Sequence, residues 1–126
     1  MDSGLYIAVF RLDAERTIRV GGLGRFAFPR GVYLYVGSAQ RNLAARLERH
    51  GRRRKPLRWH IDYLSARATM LGAILVPGGR EGECRLAAEV GRLHPRFIDG
   101  FGASDCRCGG HLFYAGRWWG KTQRKQ

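Results

Sequence analysis

GVYLYVGSA, residues 31–39, is the stretch on which the fold turns. Its β-branched and aromatic residues are those of a strand, and Gly37-Ser38 ends it in a turn. Side chains alternate along a strand, so Tyr33 and Tyr35 share one face while Val32, Leu34 and Val36 share the other. The aliphatic face is expected to pack a core and the tyrosine face to look toward a cleft. Upstream, GLYIAVFR at 4–11 is apolar on both alternating faces, the pattern of a central strand. A short β-branched strand, 16–20, follows the turn at Asp13-Ala14-Glu15 and breaks at Gly21-Gly22-Leu23-Gly24. Pro29-Arg30-Gly31 is a second turn. Together these segments read as an antiparallel meander of about three strands.

Beyond residue 39 the period changes. NLAARLERHG, 42–51, places Leu43 and Leu47 on one helical face, with Arg46 and His50 on a different stripe. A basic loop, GRRRKP, comes next, then a short helix at 59–66 in WHIDYLSA. A strand is expected at 70–76, ended by Pro77-Gly78-Gly79. A helix over 83–93 turns Leu86, Ala87, Val90 and Leu93 inward, and a glycine-rich run leads to a final strand at 111–115. The whole is α+β: a small antiparallel or mixed sheet of about three core strands flanked by helices. One domain covers 1–116, and 117–126 is a basic C-terminal tail.

Size and charge narrow the function. The chain has 126 residues, enough for one domain and a core without disulfide staples. It carries 23 Lys+Arg against 10 Asp+Glu, a formal charge of +13. Most of that charge is arginine, whose planar fork matches phosphate oxygens. A polyanion, above all nucleic acid, is the expected partner. No apolar run is long enough to span a bilayer and no signal-peptide pattern opens the chain, so a cytoplasmic location with reduced Cys84, Cys106 and Cys108 is expected.

The order of motifs resembles the GIY-YIG nuclease superfamily. Gly4-Leu5-Tyr6 matches the first motif, Tyr35-Val36-Gly37 the second, Arg46 the helical arginine and Glu83 the later glutamate. Gly31-Val32-Tyr33 also looks like the first motif. The two tyrosine motifs belong on neighbouring strands, however, and Gly31-Val32-Tyr33 overlaps the second on one strand. More closely, YVGSA, the Arg-rich segment around His50, WHIDYL, ECRLA and FGASDCRCGGHLFY together resemble the DUF123 branch. The resemblance implies hydrolysis of a phosphodiester with one divalent metal, Mg²⁺ or Mn²⁺. It implies repair-associated or structure-specific cleavage of DNA.

By the same resemblance, Tyr6 and Tyr35 are the functional pair and Tyr33 supports them. A phenol serves in proton transfer when its pKa is lowered, and a nearby arginine or metal would do that. Arg46 would stabilise charge on the scissile phosphate, with His50 orienting a tyrosine or water. Glu83 would bind the metal, with Glu89 as the alternative. A carboxylate opening a helix also simply suits the helix dipole. In WHIDYL, His60 stands near the site, or His60 and Asp62 form a structural hydrogen-bond pair. The superfamily's late asparagine has no counterpart, since Asn42 is the sole asparagine.

Cys106, Cys108 and His111, joined by Cys84, have the ligand types of a structural Zn²⁺ site; the same residues also suit small buried thiols beside a surface histidine. Arg49, Arg52, Arg53, Arg54 and Lys55 are candidates for gripping a nucleic-acid backbone. Basic residues grip any such backbone, so a non-catalytic DNA-binding module of the same fold and an RNA-binding protein stand beside the nuclease reading.

Overall fold

A computed structural model of the chain describes residues 2–102 and 109–117. Two nine-residue strands form its spine, β1 (Gly4–Leu12) and β4 (Gly31–Ala39). They pair antiparallel along their full length, from Gly4 opposite Ala39 to Leu12 opposite Gly31. β5 (Thr69–Val76) adds to the far side of β1, and β6 (Leu112–Gly116) to the far side of β4. The order β5-β1-β4-β6 is antiparallel throughout and puts β1 and β4, which carry Tyr6, Tyr33 and Tyr35, in the interior.

This sheet has four strands where about three were expected, and the segment 16–20 is not among them. β2 (Arg16–Val20) pairs instead with β3 (Gly24–Phe28), a strand the sequence reading passed over. The two make a separate hairpin that buries Ile18, Val20 and Phe28 against the main core. Its other face is solvated, and Arg25 and the neighbouring glycines interrupt the apolar alternation on which recognition of β3 depends.

Helices pack on both faces of the sheet, while its edge strand β5 leaves Leu71, Ile74 and Leu75 exposed. Tyr6, Ala8, Phe10 and Leu12 of β1 join Tyr33 and Tyr35 of β4 in the larger core. Against it pack Leu43 of α1 (Leu43–Gly51), Ile61 and Leu64 of α2 (His60–Ser65), and Phe101. On the opposite face α3 (Glu83–Gly91) lays Ala87 and Val90 on Val36 and Phe113. The expectation of an aliphatic core face and an open tyrosine face is therefore corrected: the tyrosine face is the larger core. Tyr33 is fully buried, donates its hydroxyl to the Pro29 carbonyl at 2.6 Å, and packs on Phe28, Phe97 and Tyr114. It is a packing residue and supports no site.

Helix α1 is held at both ends. Asn42, in the left-handed region at φ 57°, turns the chain into it, and the backbone N–H groups of Asn42 and Leu43 donate to Asp2. At the other end Lys55 Nζ donates to the carbonyls of Arg49 and His50 in the last turn, the Arg49 carbonyl also accepting the Arg52 N–H. Leu43, Leu47 and His50 are spaced four and then three residues apart, so they share one stripe. His50 accordingly lies on the buried face, 1% exposed, and not on the separate stripe expected for it. Among the described residues no helix is long and apolar enough to cross a membrane.

Candidate active site

The tyrosine face opens to solvent at the Gly37 end of β4. There a pocket of about 550 Å³ is lined by Tyr6, Tyr35, Arg46, His50, His60 and Glu83, among others. Register explains the first contact. Tyr6 lies directly opposite Gly37 across the β1–β4 ladder. A Cβ on Gly37 would stand 2.5 Å from the Tyr6 hydroxyl oxygen and 2.6 Å from the ring carbon that bears it. The missing side chain is thus the space that the Tyr6 ring crosses to reach α1. Its hydroxyl oxygen lies 2.8 Å from His50 Nε2.

The electrostatics of this pair follow from burial. Burial pushes the Tyr6 phenol up to about 12, against the downward pull of the Arg46 guanidinium. The expectation that Arg46 brings a tyrosine below its ordinary value is corrected: desolvation outweighs it. Burial, aided by the charge of Lys55, brings His50 down to about 4, so its ring is neutral at physiological pH. Tyr35 is pushed up too, first by burial and then by its neighbour Tyr6. Its ring meets His50 and Phe101 edge-on, at 5.9 and 6.3 Å between centroids. Tyr35 therefore fixes the wall behind His50.

Arg46 stands one helical turn before His50. Its Nη1 donates to the Ser38 carbonyl at 3.0 Å, which ties the guanidinium to the end of β4. Ser38 Oγ in turn donates to Glu83 Oε1 at 2.5 Å, and His111 Nδ1 lies 2.9 Å from Glu83 Oε2. Burial raises the Glu83 carboxyl, but the hydrogen bonds from His111 and Ser38 outweigh it and hold the group below its ordinary range. Glu83 is thus an anion facing the pocket. Glu89 sits on the exposed side of α3, beside Arg92, and does not line it.

Second partners lie in α2 and the loop that leads into it. Asp62, fully buried, accepts from both ends of the Arg49 guanidinium at 2.8 and 3.0 Å and from the backbone N–H groups of Arg58 and Trp59. Burial raises its carboxyl, and these bonds, Arg49 first, outweigh that and lower it. The pairing open from sequence, His60 with Asp62, gives way to Arg49 with Asp62. His60 Nδ1 accepts from the Gly102 N–H at 2.8 Å, which places its ring proton on Nε2, and burial lowers its pKa. Gly102, at φ +70°, has no room for a Cβ, which would lie 2.9 Å from the Tyr35 ring.

The basic candidates divide. Arg49 and Lys55 make internal contacts, Lys55 also donating to Ser65 Oγ at 2.6 Å, so their charge is turned toward the protein. Arg52, Arg53 and Arg54 are exposed on the loop after α1 and do not line the pocket, Arg53 donating to Thr69 Oγ1 at the start of β5. Of the zinc candidates, Cys106 and Cys108 lie outside the described residues. Cys84 Sγ stands 3.9 Å from His111 Nε2. Among the described residues no group of three or more His, Cys, Asp and Glu side chains is arranged to hold a metal.

Sequence reasoning missed Ser38, Arg58, Trp59 and Arg80 as pocket residues, and missed His111 as the partner of Glu83. Ser38 was within reach, because it directly follows the Gly37 of the second motif. The others come from loops whose path no periodicity records.

A family model described as "Domain of unknown function DUF123" matches residues 5–125. No curated protein and no solved structure matches the chain significantly.

Proposed function

The chain belongs to the DUF123 family, and we propose that it is a metal-dependent endonuclease of the GIY-YIG type that hydrolyses phosphodiesters in DNA. One observation carries the reading. Tyr6 of β1, Arg46 and His50 of α1, and Glu83 of α3, drawn from three separate elements, line one pocket, with Tyr6 bonded to His50 at 2.8 Å. The formal charge of +13 supports a polyanionic substrate.

Hydrolysis needs a water to lose a proton while charge on the phosphate is stabilised. With the neutral His50 ring carrying its proton on Nδ1, Nε2 accepts the phenolic proton of Tyr6, and the nearby Arg46 charge favours the phenolate that this transfer begins to form. In this geometry Tyr6 takes a proton from the attacking water as it passes its own to neutral His50. His50 is kept neutral by burial and by the positive charges of Lys55, Arg46 and Arg49. A phosphodiester bound beside them offsets those charges and makes His50 a better acceptor. Arg46, whose guanidinium has five N–H donors, keeps donors for the phosphate besides the one given to Ser38.

Glu83 fits a hard divalent cation. Mg²⁺ is commonly held by one or two carboxylates together with water and substrate phosphate. Glu83 is anionic, faces the pocket, and retains lone pairs on both oxygens beyond those directed to Ser38 and His111. A cation bound there supplies Lewis-acid neutralisation of the leaving oxygen.

The test is a cleavage panel of paired, gapped, flapped and branched DNA with Mg²⁺ or Mn²⁺. Arg46→Ala and Glu83→Ala are each expected to slow cutting by about a hundredfold or more. Unchanged cutting in both variants assigns the activity elsewhere. Salt-sensitive binding with no cutting of any substrate makes the protein a DNA-binding module.

A further inference from the structure

The pocket is larger than a phosphate group requires, and its mouth carries an aromatic ring that the proton relay does not use. Trp59, the residue before α2, remains 37% exposed. The guanidinium carbons of Arg46 and Arg49 lie over its indole ring, 4.9 and 4.5 Å from the centroid, and the His50 ring stands steeply inclined to it at 6.0 Å between centroids. Arg49 is anchored by Asp62, whose carboxylate also accepts from the Trp59 N–H. The indole is therefore a fixed plate beside the arginine that would grip the phosphate.

Such a plate discriminates between nucleic-acid structures. Within a paired duplex each base face is covered by its neighbours, and only backbone and groove edges are offered. A base that has left the stack offers a bare π-face, for which exposed indoles are common platforms. A phosphate held by Arg46 brings its own nucleotide to Trp59, because guanidinium and indole are in contact. Arg58 and Arg80 line the same pocket and add positive charge along the strand. We propose that Trp59 is a base-stacking platform that selects a phosphate flanked by an unpaired nucleotide, as in a flap, gap or single strand. This rests on the reading of the pocket as a phosphodiester site.

Binding at equilibrium tests it without relying on cleavage. The full chain is titrated, in the absence of divalent metal, with three labelled DNAs of equal length: a paired duplex, a duplex with a short flap, and the same flap built of abasic nucleotides. The wild type is expected to prefer the natural flap over the paired duplex by about tenfold, the scale of one base–aromatic stack. Trp59→Phe keeps most of that preference and Trp59→Leu loses it. The abasic flap, with its phosphates intact, binds the wild type no better than the duplex does. The proposal is overturned if Trp59→Leu keeps the preference, or if the abasic flap binds as tightly as the natural one. If a Trp59-dependent preference appears with no cleavage of any substrate, the hydrolytic reading fails while the stacking site stands.

Discussion

The Tyr6 phenol depends on an absence three strands further along the chain. Gly37 has an ordinary backbone conformation, so what it supplies is space. Gly37→Ala would drive a methyl into the Tyr6 ring, and overpacking of this kind costs about 1–3 kcal/mol. We expect that loss in urea unfolding, together with a fall in DNA cleavage larger than the loss of folded protein explains. A variant of wild-type stability and activity would show that Tyr6 has room to move aside. Tyr6 and Gly37 were both legible in sequence as parts of two short motifs. Their contact was not, because it requires the register of β1 on β4, which joins residues 31 apart. Tyr33 shows the opposite case. It shares alternation, residue type and neighbourhood with Tyr35, and only the packing of Phe28, Phe97 and Tyr114 around it separates core from pocket.

At the scale of elements, the pocket wall is built by joining α1 to α2 through charge. Arg49 and Asp62 form a two-pronged pair in which Asp62 is fully buried, and Asp62 also receives the N–H groups that begin α2. Removing Asp62 takes the acceptor from the Arg58 and Trp59 N–H groups and from the Arg49 guanidinium, which keeps Pro56 and Trp59 as partners, a cost of roughly 1–3 kcal/mol. Asp62→Ala should lower unfolding stability by about that amount, measured with urea at neutral pH. A loss below about 1 kcal/mol would mean that the two helices hold together without the pair. The helices and long strands were legible because their apolar periods are clean. The β2–β3 hairpin was not, because its strands are short and show one buried face. The loop from 52 to 59 carries basic residues of two kinds, and nothing in their order tells the inward Lys55 from the outward Arg52.

At the scale of the whole molecule, the buried His50 couples the site to stability. Its folded pKa, about 4, lies below the ordinary 6.5, so on acidification the unfolded chain takes up the proton first. The contribution is fully present above pH 6.5 and is lost as pH falls toward 4, a loss of roughly 3 kcal/mol for a shift of that size. Urea unfolding at pH 7.5 and 4.5 should show the wild type losing more stability than His50→Gln by close to that amount. Equal losses would place the acid sensitivity in other groups. The same neutral imidazole is the acceptor in the proposed proton relay. The most direct measurement is the single-turnover cleavage of a flapped DNA with Mg²⁺ by wild type and Tyr6→Phe, with binding followed in parallel. Removing the hydroxyl while keeping the ring should slow cutting by about a hundredfold or more and leave affinity nearly unchanged; a Tyr6→Phe protein that cuts at the wild-type rate would contradict the proposed relay.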